Sequence, residues 1–170
     1  MLKKNNILLV ILARGGSKRI KNKNIKSFNK KPLFLWTIEQ ALRIDLPFTQ
    51  TLLSTESEEI ISLSKNYKKL LSIKRPKFLS KDNTSSVEVL RHIIKKINFS
   101  GHIILLQPTS PLRSDKDILN VIELVKNGMT PIVSVCQCLH SSLLITKENI
   151  KKKFQPIAKK EYNLFYPNGA

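Results

Sequence analysis

The chain of 170 residues has few cysteines and no long apolar run. Its two cysteines, Cys136 and Cys138, exclude a disulfide framework, and with His140 they supply too few ligands for a zinc site. We interpret them as reduced thiols. No segment reaches the roughly 18 apolar residues of a membrane span, and the N-terminal apolar run is too short for a signal peptide. We therefore expect no membrane partner and a cytoplasmic location.

Acidic and aromatic residues are also scarce. Thirty Lys and Arg residues face only 12 Asp and Glu residues, which gives a net charge of +18. Such a balance indicates nucleic acid, an anionic membrane or small anionic substrates as partners. The low counts of Trp (one) and Tyr (three) argue against an aromatic stacking platform, so nucleic acid is not the favoured partner. Much of the excess lysine is interpreted as solvated surface, typical of a Lys-rich composition.

No acidic residue precedes Glu39, and this acid-free stretch contains a glycine loop. The apolar run that begins at Ile7 ends at Ala13, and Arg14, Gly15, Gly16 and Ser17 follow, with further cations as far as Lys26. Glycines let backbone N–H groups approach anionic oxygens closely, and cations neutralise them. The loop therefore predicts a polyphosphate site without sequence-local repulsion. Its spacing matches neither a Walker A loop nor a dinucleotide fingerprint, and a basic surface loop stays open as the alternative.

Apolar runs alternate with helical patterns along the first 136 residues. Runs typical of strands cover 7–13, 49–54, 70–74, 102–107 and 131–136. Patterns typical of helices cover 33–44, 56–68, 86–97 and 115–127. This alternation predicts an α/β fold, a mostly parallel sheet with helices on both faces. Ligands of such sheets bind beyond the carboxyl ends of the strands, so the segments 14–24, 75–84 and 108–114 should share one rim.

Helix boundaries carry recognisable signals. Capping boxes are predicted from Thr55 to Glu58 and from Ser85 to Glu88, an N-cap at Ser114 and a stop at Gly128. The third helix is expected to bury one apolar stripe, formed by Val87, Leu90, Ile94 and Ile97.

Two further segments present polar groups at predicted strand ends. Gln107, Thr109 and Ser110 lie in a loop that two prolines stiffen, and Arg113 offers a fork suited to a carboxylate or phosphate. Pro76 restricts Arg75 to an extended backbone, so Arg75 should project from its strand towards a nucleotide base.

From about residue 137 the alternation fails, although apolar residues continue. We expect two parts: a nucleotide-binding α/β core at 1–136, and the start of a dimerisation segment at 137–170. Unpartnered apolar residues of this number usually mark an interface.

Together these motifs resemble the acylneuraminate cytidylyltransferase family, also called CMP-sialic acid synthetases. The matching residues are 13–25, 54–56, 75–82, 106–113 and 168–170. The resemblance implies a Rossmann-like nucleotidyltransferase fold and a homodimer. It also implies a reaction that couples CTP to a nonulosonic (sialic-type) acid with Mg²⁺, giving the CMP-sugar and pyrophosphate.

The resemblance also implies residue roles. Arg14 and Lys23 would be catalytic. The nucleotide would be bound by Ala13, Arg14, Gly15, Gly16, Ser17, Asn24, Arg75 and Ser86. The sugar acid would be bound by Gln107, Thr109 and Ser110.

This sequence departs from the family pattern in places. Lys21 stands where the family has Pro, Glu56 where it has Asp, and Ser142 where it has Pro. No metal ligand is assigned, because the aspartates that hold Mg²⁺ in the family are expected beyond Ala170. The chain is accordingly expected to be truncated and to lack turnover.

Three other functions remain open. One is an enzyme resembling CMP-Kdo synthetase. Another is an inactive homologue that binds CTP, and the third is a basic nucleic-acid-binding protein. CTP binding without turnover would favour the inactive homologue, and salt-sensitive binding of random DNA without CTP binding would favour the nucleic-acid reading.

Overall fold

The computed structural model describes residues 6–17 and 20–134 in full, and beyond them the backbone of strands at 135–137, 146–148, 154–156 and 165–167. The chain divides into two compact units. The first is Met1–Ile132 with Ala170, and the second is Val133–Gly169. Each unit is described by itself. Cys138 and His140 lie outside the described residues, as do the side chains of 135–137.

A parallel sheet forms the centre of the first unit. Its four strands in the described residues are β1 (Ile7–Leu12), β4 (Thr49–Thr55), β5 (Leu70–Lys74) and β6 (His102–Leu105), in the order β5–β4–β1–β6. Every neighbouring pair among them runs parallel. A short antiparallel hairpin, β2 (Ser27–Phe28) with β3 (Lys31–Pro32), follows the glycine loop.

Helices connect these strands and cover the sheet. They are α1 (Leu33–Arg43), α2 (Glu58–Ser64), α3 (Ser86–Ile97) and α4 (Asp115–Lys126), with a 3₁₀ turn at Lys77–Ser80. Alternate residues of β1 enter two separate apolar clusters. Leu9 and Ile11 pack with residues of α1 and α4, whereas Leu8 and Val10 pack with residues of α3. A parallel strand that is buried on both faces has a continuous apolar sequence, and β1 has such a sequence. The predicted α/β fold with helices on both faces is confirmed.

The predicted fifth strand at 131–136 was wrong in position and partner. The strand there is β7 (Val135–Gln137), and it pairs antiparallel with β10 (Phe165–Pro167) inside the second unit. Pro131 has no N–H to donate to a ladder, so the apolar run cannot pair from its start. A second antiparallel pair, β8 (Thr146–Glu148) with β9 (Phe154–Pro156), also belongs to this unit.

Both ends of α2 and one helix face differ from the prediction, since α2 ends at Ser64 rather than at residue 68. The N-cap of α2 is Ser57, whose hydroxyl accepts from the Ile60 N–H, because β4 continues through Thr55. On α3 the buried residues are Val89 and Ile93, whereas Val87 is 54% exposed. Of the predicted stripe, Leu90 and Ile97 pack against the same apolar cluster as these two buried residues. Val87 and Ile94 are exposed, so the buried face is rotated from the predicted one and only half of the stripe is confirmed.

The other helix signals are confirmed. Ser85 and Glu88 form a full capping box, and Ser114 caps α4 together with Asp117. Gly128 follows the last turn of α4 with a φ of 80°, a conformation that suits glycine.

A tyrosine links α1 to the segment before β5. The Tyr67 hydroxyl donates to Glu39 Oε1 at 2.9 Å. Burial, and then this bond to a carboxylate, raise the pKa of Tyr67 to about 12. Among the described residues, no helix has both the length and the apolarity needed to cross a membrane.

Candidate functional site

A cavity of about 310 Å³ opens where β1, β5 and β6 end. All three segments expected on one rim contribute to its wall, which is the arrangement that parallel strands produce at their carboxyl ends. Eight predicted site residues line it: Arg14, Ser17, Lys23, Asn24, Arg75, Ser86, Gln107 and Thr109.

Four predicted site residues are not part of the cavity wall. Ala13 is fully buried, and its N–H donates to the Ser54 carbonyl at 3.1 Å. Gly15 and Gly16 lie in the adjoining loop. The Ser110 N–H donates to the Gln107 carbonyl, which forms a turn behind the wall. The structure thus places Ala13 and Ser110 beside the cavity rather than on its wall.

The glycine loop is held by Asn24, which is buried. Its Nδ2 donates to the Arg14 carbonyl at 2.8 Å, and its own carbonyl accepts from the Phe34 N–H at 3.0 Å. The loop is therefore fixed to the start of α1. Asn24 therefore stabilises the loop in the absence of any ligand.

Gly15 and Gly16 differ in how much space surrounds them. A Cβ on Gly15 would lie 2.9 Å from the Ser57 Cβ, so α2 packs against the loop only because Gly15 has no side chain. A Cβ on Gly16 would meet nothing within 4 Å. The Gly15 N–H donates to Glu56 Oε1 at 2.7 Å, so this amide is already occupied.

The glycine loop contains no acidic residue, but two acidic side chains from other segments contact it in the fold. Glu56 reaches it from the end of β4, and Asp82 reaches it from the segment after β5. Arg14 Nη1 lies 2.8 Å from Asp82 Oδ1. The expectation that the loop is free of repulsion therefore holds only for its sequence neighbours.

Arg75 is buried rather than projecting into solvent. Its Nη2 donates to the Ser54 carbonyl at 2.9 Å and lies 4.0 Å from Glu56 Oε2. Within the described part of the chain, Arg75 Nε has no hydrogen-bond partner. Burial lowers the pKa of Arg75, and the Glu56 carboxylate opposes that shift. A buried, partly unpaired guanidinium on a cavity wall is suited to bind a ligand acceptor.

Sequence reasoning missed Lys81 and Thr84, which also line the cavity. The only available signal was their place in the rim segment 75–84. With Lys81 included, the wall carries the cations Arg14, Lys23, Arg75 and Lys81 against the carboxylate of Asp82, as far as the described residues show. This balance favours an anionic ligand.

Arg113 was predicted to offer a fork to a ligand, but its Nη1 and Nη2 donors are used within the fold. Nη1 donates to Gln40 Oε1 at 3.0 Å, and Nη2 donates to the Gln107 carbonyl at 3.1 Å. Burial lowers the pKa of Arg113. Arg113 thus fixes the Gln107 loop to α1.

Four carboxylates at or near the predicted rim, those of Glu56, Asp82, Asp115 and Asp117, are each engaged by other groups of the described residues. Arg43 donates two hydrogen bonds of 2.7 Å to the Asp115 carboxylate. Hydrogen bonding to Arg43 lowers the pKa of Asp115. Asp117 caps α4, Glu56 is engaged with Gly15, and Asp82 pairs with Arg14. Nowhere in the described residues do three or more His, Cys, Asp or Glu side chains form a group that could hold a metal ion.

Comparison with known proteins identifies relatives of this site. A family model described as Cytidylyltransferase matches residues 8–164. A Helicobacter pylori protein named pseudaminic acid cytidylyltransferase and UDP-2,4-diacetamido-2,4,6-trideoxy-beta-L-altropyranose hydrolase is 36% identical over 138 residues, covering 79% of this chain and 26% of that protein. An Escherichia coli N-acylneuraminate cytidylyltransferase is 34% identical over 121 residues, covering 71% of this chain and 28% of that protein. The aligned part of the chain thus spans between a quarter and a third of the length of these relatives.

A solved structure supports the same fold. A CMP:2-keto-3-deoxy-manno-octonic acid synthetase complexed with CTP superposes with a TM-score of 0.59 at 19% identity. The match covers 78% of this chain and 52% of that one. At this identity the likeness shows the fold alone.

Proposed function

The chain belongs to the cytidylyltransferase family, and from that premise we propose that its cavity binds CTP for transfer of CMP to a nonulosonic acid. The observation that carries the proposal is the convergence of Arg14, Lys23, Arg75 and Lys81 on one cavity at the carboxyl ends of parallel strands. A triphosphate is the part of a nucleotide that such a wall suits best. The names of the two relatives support a nonulosonic acid as acceptor.

We assign the phosphate end of the nucleotide to the loop side of the cavity. Arg14, Lys23 and the Ser17 hydroxyl line that side, and the Gly16 backbone adjoins it. Asn24 holds the loop in place from behind. In this arrangement Arg14 and Lys23 would stabilise the charge that moves onto the leaving pyrophosphate.

The base and sugar ends follow from the remaining walls. Arg75 and Ser86 would lie near cytosine and ribose. Gln107 and Thr109 face the same cavity from the end of β6 and would contact the sugar acid, with Ser110 supporting their loop. Each of these roles stays a prediction.

In the proposed reaction the anomeric hydroxyl oxygen of the sugar acid bonds to the α-phosphorus of CTP. The bond from that phosphorus to the bridging oxygen breaks, and pyrophosphate leaves with the electron pair. The hydroxyl proton passes to solvent, since no described residue is assigned as its base. Binding both substrates on one rigid rim supplies proximity and orientation.

The Mg²⁺ expected from the sequence resemblance stays a prediction. The described carboxylates do not fit a metal site, so no step is assigned to the ion. The predicted homodimer and cytoplasmic location likewise stay predictions.

Calorimetry with CTP, UTP, ATP and GTP tests the proposed function, each titrated with and without Mg²⁺. We expect CTP to bind tightest, with a Kd of about 1 mM or below. Equal heats for the four nucleotides, or none, would contradict the cytidine assignment. Random DNA serves as a control, because salt-sensitive DNA binding without CTP binding would favour a nucleic-acid-binding protein instead.

Transfer is tested separately by pyrophosphate release. CTP and Mg²⁺ are combined with sialic, legionaminic or pseudaminic acid in turn. Release that depends on one acid identifies the acceptor. CTP binding without release from any of the three would favour an inactive homologue that retains the nucleotide site.

A further inference from the structure

Glu56 contacts both ends of the nucleotide site without lining the cavity itself. One carboxylate oxygen accepts from the loop at Gly15, and the other faces the buried guanidinium of Arg75. We infer that Glu56 is a positioning residue that sets base discrimination. It orients Arg75 and keeps the Gly15 amide away from phosphate. The inference rests on the proposed function, since it takes the cavity to receive a nucleotide.

The Gly15 contact decides which loop amides a phosphate can use. A backbone N–H has one hydrogen to donate, and the Gly15 N–H donates it to Glu56 Oε1 at 2.7 Å. A bond to a carboxylate is among the stronger hydrogen bonds. Within the described part of the chain, the Gly16 and Ser17 amides form no such bond. In the described part of the loop, the amides left for a phosphate are therefore those of Gly16 and Ser17.

The Arg75 contact decides how the guanidinium is held. Arg75 is 6% exposed, and a buried cation needs a counter-charge. Glu56 supplies it, with 4.0 Å between Oε2 and Nη2, while the Ser54 carbonyl fixes Nη2 from another direction. The Arg75 Nε remains without a partner among the described residues. The two contacts hold Nη2, which leaves the Nε and Nη1 donors of Arg75 for an acceptor on a base.

Because Glu56 is negatively charged, a role in positioning Arg75 can be distinguished from a direct contribution to phosphate affinity. A carboxylate beside an anion site opposes the binding of a triphosphate. Removing its charge should therefore leave the affinity for bare tripolyphosphate unchanged or higher. The preference for one base should fall, because Arg75 loses its orientation. A residue that only stabilised the fold would lower both quantities together.

The experiment compares the full chain with its Glu56→Gln variant, which keeps the shape of the side chain and removes its charge. Calorimetry gives the CTP to UTP affinity ratio and the tripolyphosphate affinity. We expect the ratio to fall about tenfold with no loss of tripolyphosphate affinity. Glu59→Gln is the matched control, because Glu59 is an exposed glutamate three residues further along the chain, in the first turn of α2. It should change neither quantity.

Three results would overturn the inference: no change in the ratio, an equal loss for all ligands, or the same change in Glu59→Gln. If Glu56→Gln does not fold, the double variant Glu56→Gln with Arg75→Gln removes both charges. Recovery of the folded circular-dichroism signal then supports the pairing, and no recovery overturns it.

Nuclear magnetic resonance separates this inference from the proposed function. Without any nucleotide, Glu56→Gln should move the Gly15 amide and Arg75 Nε–H resonances. A wild-type chain that binds no CTP would defeat the proposed function, whatever these resonances do. Resonances that stay in place would defeat the role of Glu56, whatever CTP does.

Discussion

At the scale of single residues, Arg14 is held by an ion pair that a ligand can replace. Its partner is Asp82, and both side chains are partly exposed, at 33% and 43%. Exposed ion pairs contribute about 0–1 kcal/mol, so exchanging Asp82 for a phosphate costs little. Arg14 can therefore be oriented in the free protein and still be available to a triphosphate.

Arg14→Ala should weaken CTP binding by about 1.5–3 kcal/mol, because a charge-assisted bond to phosphate is lost. The ion pair between Arg14 and Asp82 is lost as well. Calorimetry measures the change. Arg91→Ala, which removes an exposed arginine from α3, is the control for bulk charge. Equal losses in the two variants would mean that only net charge matters.

Gly15→Ala should lower the free energy of unfolding by about 1–3 kcal/mol, because its Cβ would overlap the Ser57 Cβ at 2.9 Å. Gly16→Ala should change it by less than about 0.5 kcal/mol, since nothing lies within 4 Å of the added methyl. Urea unfolding compares the two. Similar losses at both positions would show that the loop needs glycine for its backbone rather than for packing.

The sequence predicts which residues reach the rim but not which partners they find there. Arg75 follows an apolar run, and that is enough to place it at a strand end. Its burial, and the occupation of the Gly15 amide by Glu56, depend on contacts between segments 41 and 21 residues apart. No local pattern encodes such pairs. Arg113 was misassigned for the same reason, because Gln40 lies 73 residues away.

At the scale of elements, α1 is linked to the segment before β5 through Glu39 and Tyr67. Glu39 also pairs with Lys31, so three elements meet at one carboxylate. Lys31 Nζ lies 3.7 Å from the centre of the Trp36 ring, which adds a cation–π contact. This cluster fixes the hairpin β2–β3 beside α1.

Tyrosine ionisation can test this link. The pKa of Tyr67 is raised to about 12, so the neutral hydroxyl is favoured in the folded chain. The resulting stability is present below about pH 10 and is lost as the pH rises through about 12. Absorbance titration should show a late-titrating tyrosine component, and Tyr67→Phe should remove it. Glu39→Gln should make that tyrosine titrate earlier. An unchanged late component in Tyr67→Phe would contradict the assignment.

The sequence predicts where a helix begins when a local capping signal alone determines its first residue. Ser85 and Ser114 cap as predicted because each precedes an acidic residue by three positions. Half of the predicted stripe on α3 was wrong: Leu90 and Ile97 pack against the apolar cluster, whereas Val87 is exposed and Val89 is buried in its place. Both valines suit an apolar face, and only the docked sheet selects between them. The cap of α2 was wrong because strand pairing extends β4 through Thr55, opposite Lys74.

At the scale of the whole molecule, the second unit carries the prediction of a homodimer. Its backbone forms the pairs β7–β10 and β8–β9. Apolar residues continue through 137–170 in the sequence, and the dimerisation role of that segment stays a prediction. Light scattering should give a mass near twice the 19.5 kDa of one chain. A mass of one chain across a tenfold concentration range would contradict the dimer.

The Ser54 carbonyl accepts both the Ala13 N–H and Arg75 Nη2, so β1, β4 and the end of β5 meet at one oxygen. None of these contacts is local, and non-local pairings form late and slowly when a chain folds. The ability to bind nucleotide should therefore appear only in the last step of refolding, together with the complete sheet. A bound nucleotide would then raise the melting temperature of the whole sheet rather than stiffen one loop.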